Sequence, residues 1–463
     1  MDKTALPPYY QVVRAAQGRS RHPGNSLDHD KEAPIMHRRG FVKNTGLCVA
    51  GIGAAGFFPA RTLGADPDPS SASLVAGGRT GAQPEAMKIT AVKTFLVGPQ
   101  LFVKVHTDAG LTGLGEGSLS GRSATVAQAV LEQQRLLVGR DPRDIELLWQ
   151  QMARWPRHRG GPILSAALSA IDIALWDILG KSLNVPIWRL LGGAARRKIR
   201  LYVHVQGGTG QAIAGQVQAA TAEGFTAVRS ALAFLQGRVV KRPWGLKTAV
   251  ALIAAMREAA GDNVDIMDDA HGMLTPTMAL EYAKAIEPYR LLMLEDPVQP
   301  DDLESLKWIG QHTSVPLGFG ESLYGKTAFR PIVFGHLARY VRPDVILAGG
   351  LTECRKIAAL AEANFIDVAL HVAPSAVSNL AAAHLAAATT NCVIVENTRR
   401  PAKAGVSADL FQGGDITIQD GYALLPDKPG LGCDLDEQVA AKLPPRPDDP
   451  PRLEYEDGSV SDW

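Results

Sequence analysis

Val264-Asp265-Ile266-Met267-Asp268-Asp269-Ala270-His271, Leu291-Leu292-Met293-Leu294-Glu295-Asp296-Pro297 and Leu317-Gly318-Phe319-Gly320-Glu321 repeat one pattern, a short apolar run that closes on an acid. Asp269, Glu295 and Glu321 are separated by 26 and 26 residues. One strand-plus-helix repeat of a parallel barrel takes about that length, and such barrels carry their chemistry at the C-terminal strand ends. Equal spacing therefore aims three carboxylates at one point. They repel one another there unless a cation lies between them, and an all-oxygen donor set suits a hard ion such as Mg2+.

The pattern extends both ways. Further apolar runs occupy Ile199–Val205, Thr226–Arg229, Tyr340–Leu347, Val368–His371 and Cys392–Glu396, with amphipathic stretches such as Pro276–Ala285 and Thr352–Ala363 between them. Eight strand candidates alternating with helices predict a (β/α)8 barrel. Asp344 follows Glu321 by 23 residues, His371 comes 27 later and Glu396 another 25 later, so the series of strand-end groups continues. Asp344 and His371 at neighbouring ends can hydrogen-bond, which orients the imidazole as a general base. His271 points into the same cavity from another side, and two histidines there fit a base and an acid.

Ahead of the barrel, Lys88–Val97 and Leu101–Thr107 alternate apolar and polar residues across Gly98-Pro99, a hairpin signal, and Leu111–Glu116 adds a third strand. The period then changes to 3.6 in Ala124–Leu137, Ile145–Trp155 and Ile163–Leu179. Residues 87–198 thus read as a small α+β domain, 199–420 as the barrel and 421–463 as a C-terminal segment. Residues 372–395 are uncharged, but Pro374, Asn379, His384 and Asn391 argue for a buried βα unit over a membrane helix.

Arg38-Arg39-Gly40-Phe41-Val42-Lys43 precedes an uncharged, glycine-rich run to Ala60 and looks like a twin-arginine export signal. Residues 1–65 are read as a leader with its signal at 38–60, starting at Met1 or Met36, and 66–86 as a disordered linker rich in Pro, Ser and Gly. The expected location is periplasmic, or cytoplasmic if the signal is unused. The run is too short and weakly apolar for a stable span.

With 463 residues, 48 Lys+Arg against 47 Asp+Glu and a net charge of +1, the chain lacks the basic footprint of a nucleic-acid binder. Four widely spaced cysteines exclude a CxxC motif or a disulfide scaffold. A small-molecule partner is the expectation.

Asp269-Ala270-His271, Leu294-Glu295-Asp296-Pro297, Gly320-Glu321, Arg342-Pro343-Asp344 and Ala348-Gly349-Gly350 resemble the acid-sugar dehydratases of the mandelate racemase group in the enolase superfamily. Ser169-Ala170-Ile171-Asp172-Ile173-Ala174-Leu175-Trp176-Asp177 and Leu190-Leu191-Gly192-Gly193 extend the likeness to a capping-domain helix. The resemblance covers about residues 87–463. It implies a modified TIM (β/α)8-type barrel with an incomplete last unit, an N-terminal α+β capping domain that the C-terminal segment returns to, a homo-oligomer, and one Mg2+ held by Asp269, Glu295 and Glu321.

Leu274-Thr275-Pro276, Glu287-Pro288-Tyr289-Arg290, Asp427-Lys428-Pro429-Gly430-Leu431-Gly432 and the tail to Trp463 look closest to mannonate dehydratases. Those enzymes pair an arginine at the position of Arg229 with a downstream tyrosine, yet no tyrosine lies between Arg229 and Tyr282. The Asp344/His371 dyad is instead of the galactonate type. The implied reaction on a sugar acid is removal of the α-proton by His371, oriented by Asp344. His271 protonates the departing β-hydroxyl, and Glu396 hydrogen-bonds the substrate carboxylate or enediolate, giving a 2-keto-3-deoxy acid. Arg229, His204, His158 in the loop Trp155–Arg159, and Trp463 are candidate substrate contacts; a surface salt bridge for Arg229, a core role for His204 and a solvated loop for His158 are the alternatives. Racemisation or epimerisation on the same site, and a catalytically weak sugar-acid sensor, stay open beside dehydration.

Overall fold

Eight parallel strands pair in sequence order and close on themselves: β4 (Lys198–His204), β5 (Ala227–Ala231), β6 (Asp265–Asp269), β7 (Met293–Glu295), β8 (Leu317–Phe319), β9 (Tyr340–Val341), β10 (Asp367–Leu370) and β11 (Cys392–Asn397), with β11 returning to β4. This computed structural model describes residues 86–231, 235–236, 239–398, 408–447 and 452–462, all within the unit Gly81–Trp463. The export signal at 38–60, most of the linker expected at 66–86, and Trp463 lie outside the described residues. Helices α4 (Gly210–Ala222), α5 (Arg242–Ala260), α6 (Pro276–Ile286), α7 (Leu303–His312), α8 (Lys326–Gly335), α9 (Gly350–Glu362) and α10 (Ala376–Ala388) follow the first seven strands. After β11 no α-helix occurs among the described residues before Glu437–Ala440.

Local chemistry explains these boundaries. Thr209, Thr275, Asp302 and Ser375 each accept a backbone N–H of the first turn of the helix they precede, which supplies a partner for an otherwise orphaned donor. The strand expected over Tyr340–Leu347 ends at Val341 because Pro343 has no N–H for the ladder. A turn then begins at Asp344, whose Oδ1 accepts the Ile346 N–H at 2.8 Å.

The N-terminal region is an antiparallel sheet, β1 (Ile89–Val97), β2 (Gln100–Thr107) and β3 (Thr112–Glu116), packed on α1 (Ser123–Leu137), α2 (Ile145–Arg154) and α3 (Gly161–Ser182). Val97 pairs with Gln100 across Gly98-Pro99, so the hairpin turn has two residues. Helix α3 is long and apolar enough to cross a membrane, but 72% of its most apolar window is buried inside the molecule. It is a core helix.

The Ser169–Asp177 and Ala348–Gly350 motifs meet where cap and barrel touch. Gly349 N donates to Ser169 Oγ and Thr352 N to Asp172, while Trp149 and Trp176 donate to Gly349 O and Thr352 Oγ1. Gly350 has φ +80° and a Cβ there would lie 2.3 Å from Asp172 Oδ2, so this close approach requires glycine. Asp177 accepts Leu114 N and Leu431 N, tying α3 to β3 and to the C-terminal segment. That segment also reaches the capping sheet through Arg446 N to Gly98 O and Lys104 beside Asp434 and Glu437.

Candidate active site

Parallel strands leave their C-terminal residues at one mouth of the barrel, and the predicted acids gather there. Asp269 and Glu295 end β6 and β7 and are register partners; Glu321 follows β8 by two residues. Arg229 Nη1 ion-pairs with Asp269 and lies 3.3 Å from Glu295, Arg342 Nη2 is 2.5 Å from Glu295 and 4.0 Å from Glu321, and His271 reaches Asp269 at 3.0 Å and Glu321 at 3.8 Å. These three carboxylates thus share Arg229, Arg342 and His271. His271 sits at φ +52°, a conformation non-glycine residues seldom adopt, and this turn also lets its N–H donate to Asp269 Oδ1 at 2.7 Å.

Asp344 and His371 form an isolated parallel bridge, and Asp344 Oδ2 lies 2.6 Å from His371 Nδ1. With Nδ1–H donating to the buried carboxylate, Nε2 is the nitrogen left to accept a proton. It lies 3.6 Å from Glu321 and 3.8 Å from Glu396. Glu321 therefore stands between two imidazoles. Glu396, on β11, accepts from Arg229 at 3.2 Å and Arg342 at 3.3 Å and contacts His204 Nε2 at 2.6 Å.

Exposure sorts the cluster. The side chains of Asp269, Glu295, Asp344, Glu396 and Arg342 are at most 1% exposed, whereas His204, His271 and His371 are 27%, 29% and 22% exposed. A substrate at the mouth meets imidazoles first, with the charges behind them. Burial opposes charge on both His271 and His371, but Asp269 and Glu321 hold His271 up to about 9, and Glu321, Glu396 and Asp344 hold His371 well above its ordinary value. His204 is pushed down by burial and by Arg229. Burial also raises Glu295 well above the carboxylate range against the pull of its two arginines, with Asp269 and Glu321 adding to the rise. Asp269 and Glu396 show the opposite balance: Arg229 and His271 hold the first down, and His371, Arg229 and His204 the second, despite burial.

Three carboxylates brought to one mouth form an all-oxygen donor set that fits a hard divalent cation by donor chemistry. The geometry is not a preformed cage: among the described residues no group of three His, Cys, Asp or Glu is so arranged, since the acids lean onto Arg229 and Arg342.

The structure brings Asp269, Glu295, Glu321, Asp344, His371, His271, Glu396, Arg229 and His204 together. Arg229, expected to face the substrate, is 5% exposed and engaged with the acids, because it lies inside β5 rather than beyond it. His158 is exposed in the bend after α2 and has no described contact with the cluster. Sequence reasoning assigned no role to Arg342, Tyr202 or Asp296. Arg342 is wholly buried and bonds the Tyr202 hydroxyl at 3.0 Å; an arginine directly after the apolar Tyr340-Val341 is the signal it left. Asp296, at φ +37°, accepts Gly320 N, and burial with Glu321 and Asp269 nearby pushes it up to about 8.

Residues 72–192 match the mandelate racemase/muconate lactonizing enzyme N-terminal domain, and 212–439 match the enolase C-terminal domain-like family. A D-galactonate dehydratase of Ralstonia pickettii is 36% identical over 383 residues, covering 81% of this chain and 100% of that protein. One from Pectobacterium atrosepticum is 34% identical with the same coverage. The crystal structure of an enolase from Pantoea ananatis with bound D-gluconate and Mg superposes with a TM-score of 0.75 at 33% identity, covering 81% of this chain and 99% of that one. A putative galactarate dehydratase from Agrobacterium radiobacter, bound to Na and L-malate, gives 0.75 at 28% identity with the same coverage.

Proposed function

Because the chain belongs to the mandelate racemase/muconate lactonizing enzyme family of the enolase superfamily and is a hydro-lyase of its acid-sugar dehydratase kind, we propose that it dehydrates an aldonate such as galactonate or gluconate to a 2-keto-3-deoxy acid. The observation that carries this is the His371–Asp344 pair at 2.6 Å, which leaves Nε2 free of that carboxylate and 3.6 Å from Glu321, with a second imidazole, His271, 3.8 Å from the same Glu321.

A proton α to a carboxylate is very weakly acidic, and its removal puts a second negative charge on an anion. A divalent cation, magnesium by the hardness of the donors, would be held by Asp269, Glu295 and Glu321; it would neutralise the developing charge and cancel the Glu321 charge that keeps His371 protonated. His371 Nε2 takes the α-proton while Asp344 holds Nδ1–H and balances the imidazolium. His271 gives its proton to the β-hydroxyl, which leaves as water. The enol so formed tautomerises to the keto acid. Arg342, fixed by Tyr202, pulls Glu295 toward its charged form against burial, and Glu396, whose Oε2 lies 3.8 Å from His371 Nε2, steadies the substrate beside the base. A Lys or His base working beside Mg2+ is the general pattern of enolase-superfamily sites, and a histidine fills that place here.

Two imidazoles flanking one carboxylate also suit exchange of a proton between faces, so racemisation is the second reading. Incubating hexonic and pentonic acids with the protein and Mg2+ separates them: a 2-keto-3-deoxy product supports dehydration, and an inverted hydroxy acid without keto product refutes it. His371→Asn is expected to abolish α-proton exchange in deuterated water; retained exchange removes His371 as the base.

A further inference from the structure

Strand β3 turns two faces in different directions. A Cβ at Gly113 or Gly115 would lie 2.0 and 1.9 Å from the carbonyl oxygens of Ala174 and Ala170, so these residues face α3. Alternation then sends Leu114 and Glu116 the other way. Leu114 joins the core shared with the barrel, and Glu116, 0% exposed, meets the connection that follows β10.

The Glu116 carboxyl has two hydroxyl partners. Ser118 Oγ donates to Oε1 at 2.6 Å and Ser375 Oγ donates to Oε2. Burial raises the group to about 7, the two serines easing the rise and Asp344 adding to it. Burying a carboxyl against neutral partners is costly, and its position indicates what it holds. Ser375 ends the four-residue connection between His371 and α10. Val372 N donates to Glu396 Oε2 at 3.3 Å and Ala373 N to Ser378 Oγ at 3.2 Å, both within the barrel. Pro374 O accepts Gln100 Nε2 at 3.1 Å, and Ser375 binds Glu116, both from the cap. One half of the connection is thus fixed by the barrel and the other by the capping sheet.

We propose that Glu116 is a positioning residue for the general base: from the cap it pins Ser375 and so fixes the connection that aims His371. This rests on His371 being the base. It ties correct aim to a seated cap, so proton abstraction occurs only where the substrate is enclosed. A misplacement of 1 Å can cost roughly 10²-fold in rate, which sets the scale of the test.

The test compares Glu116→Ala, Glu116→Gln, Ser375→Gly and the double variant Glu116→Ala/Ser375→Gly with the unaltered protein, with Mg2+ and an aldonate that it dehydrates. Glycine is a tolerated N-cap, so Ser375→Gly removes the hydroxyl contact while α10 keeps its start. In Glu116→Ala, kcat and α-proton exchange should fall about 10- to 100-fold with KM within about threefold, and Glu116→Gln should recover most of the loss. Ser375→Gly should match Glu116→Ala, with the double variant no worse than either. Amide exchange should quicken in 371–378 but not in α3. Unchanged α-proton exchange in Glu116→Ala overturns the proposal, as do losses that multiply in the double variant or a loss of protection spread through the cap. His371→Asn separates the two readings: exchange abolished there but intact in Glu116→Ala sinks the positioning role alone, whereas exchange surviving in His371→Asn sinks the base assignment and this proposal with it.

Discussion

Replacing Asp344 by Asn should be more damaging than replacing it by Ala, although Asn is closer in shape. Asp344 is fully buried and has two contacts: Oδ1 accepts the Ile346 N–H at 2.8 Å and Oδ2 accepts from His371 Nδ1 at 2.6 Å. In Asp344→Asn the Ile346 N–H keeps the amide oxygen, which turns the NH2 toward His371. Nδ1 must then accept, so the proton moves to Nε2 and the nitrogen facing the substrate is no longer basic. A wrong tautomer of this kind costs up to roughly 10⁴-fold in triads built on the same logic. In Asp344→Ala the imidazole loses its charged partner but is free to take either tautomer; a hydrogen bond to a charged group contributes about 1.5–3 kcal/mol, or roughly 10- to 150-fold in rate. The assay is α-proton exchange of the aldonate in deuterated water, followed by proton NMR with Mg2+ present and with urea midpoints recorded to show that both variants fold. Exchange in Asp344→Asn equal to or faster than in Asp344→Ala refutes the tautomer argument, and exchange within about threefold of the unaltered protein in both refutes the dyad.

Glu295→Gln removes one of the three acids and should abolish the thermal stabilisation by Mg2+, which for the unaltered chain reaches about 2.7 kcal/mol at a hundred times the dissociation constant; an undiminished shift would place the cation elsewhere. Arg342→Met leaves Glu295 and Glu396 short of a buried counter-charge, so the unfolding free energy should drop by about 3–5 kcal/mol in urea titrations, and a drop below about 1 kcal/mol would show that other groups compensate them. Glu116 is raised from 4.5 to about 7, so the folded state favours its neutral form. The unfolded chain releases this proton first, and stability from this group is therefore lost as pH rises from 4.5 to 7. Glu116→Gln should accordingly match the unaltered protein below pH 4.5 and exceed it by about 3 kcal/mol above pH 7, at about 1.4 kcal/mol per tenfold step; equal midpoints at pH 8 would count against the burial cost.

The barrel was legible because its repeat is imposed by geometry. Each strand and its returning helix take a nearly fixed length, so acids at equal intervals mark strand ends before any pairing is known, and Asp344 with His371 extend the same series. The expected strand at Tyr340–Leu347 overran because its apolar residues continue into a buried turn, and apolar runs alone do not separate the two. Arg229 illustrates another limit: position marked it as part of the site, but only closure of β11 onto β4 brought Glu396 beside His204 and gave the guanidinium three carboxylates to bond.

Sequence by itself determined which acids and which Asp–His pair stand at the strand ends, since strand-end spacing and the order of the acids are local properties of the chain. Beyond the Asp344–His371 pair, tertiary structure decided their partners. Arg342 beneath Glu295, and Glu116 against Ser375 at a separation of 259 residues, are set by barrel closure and by the docking of the cap, and no local pattern encodes which side chains those two events bring together.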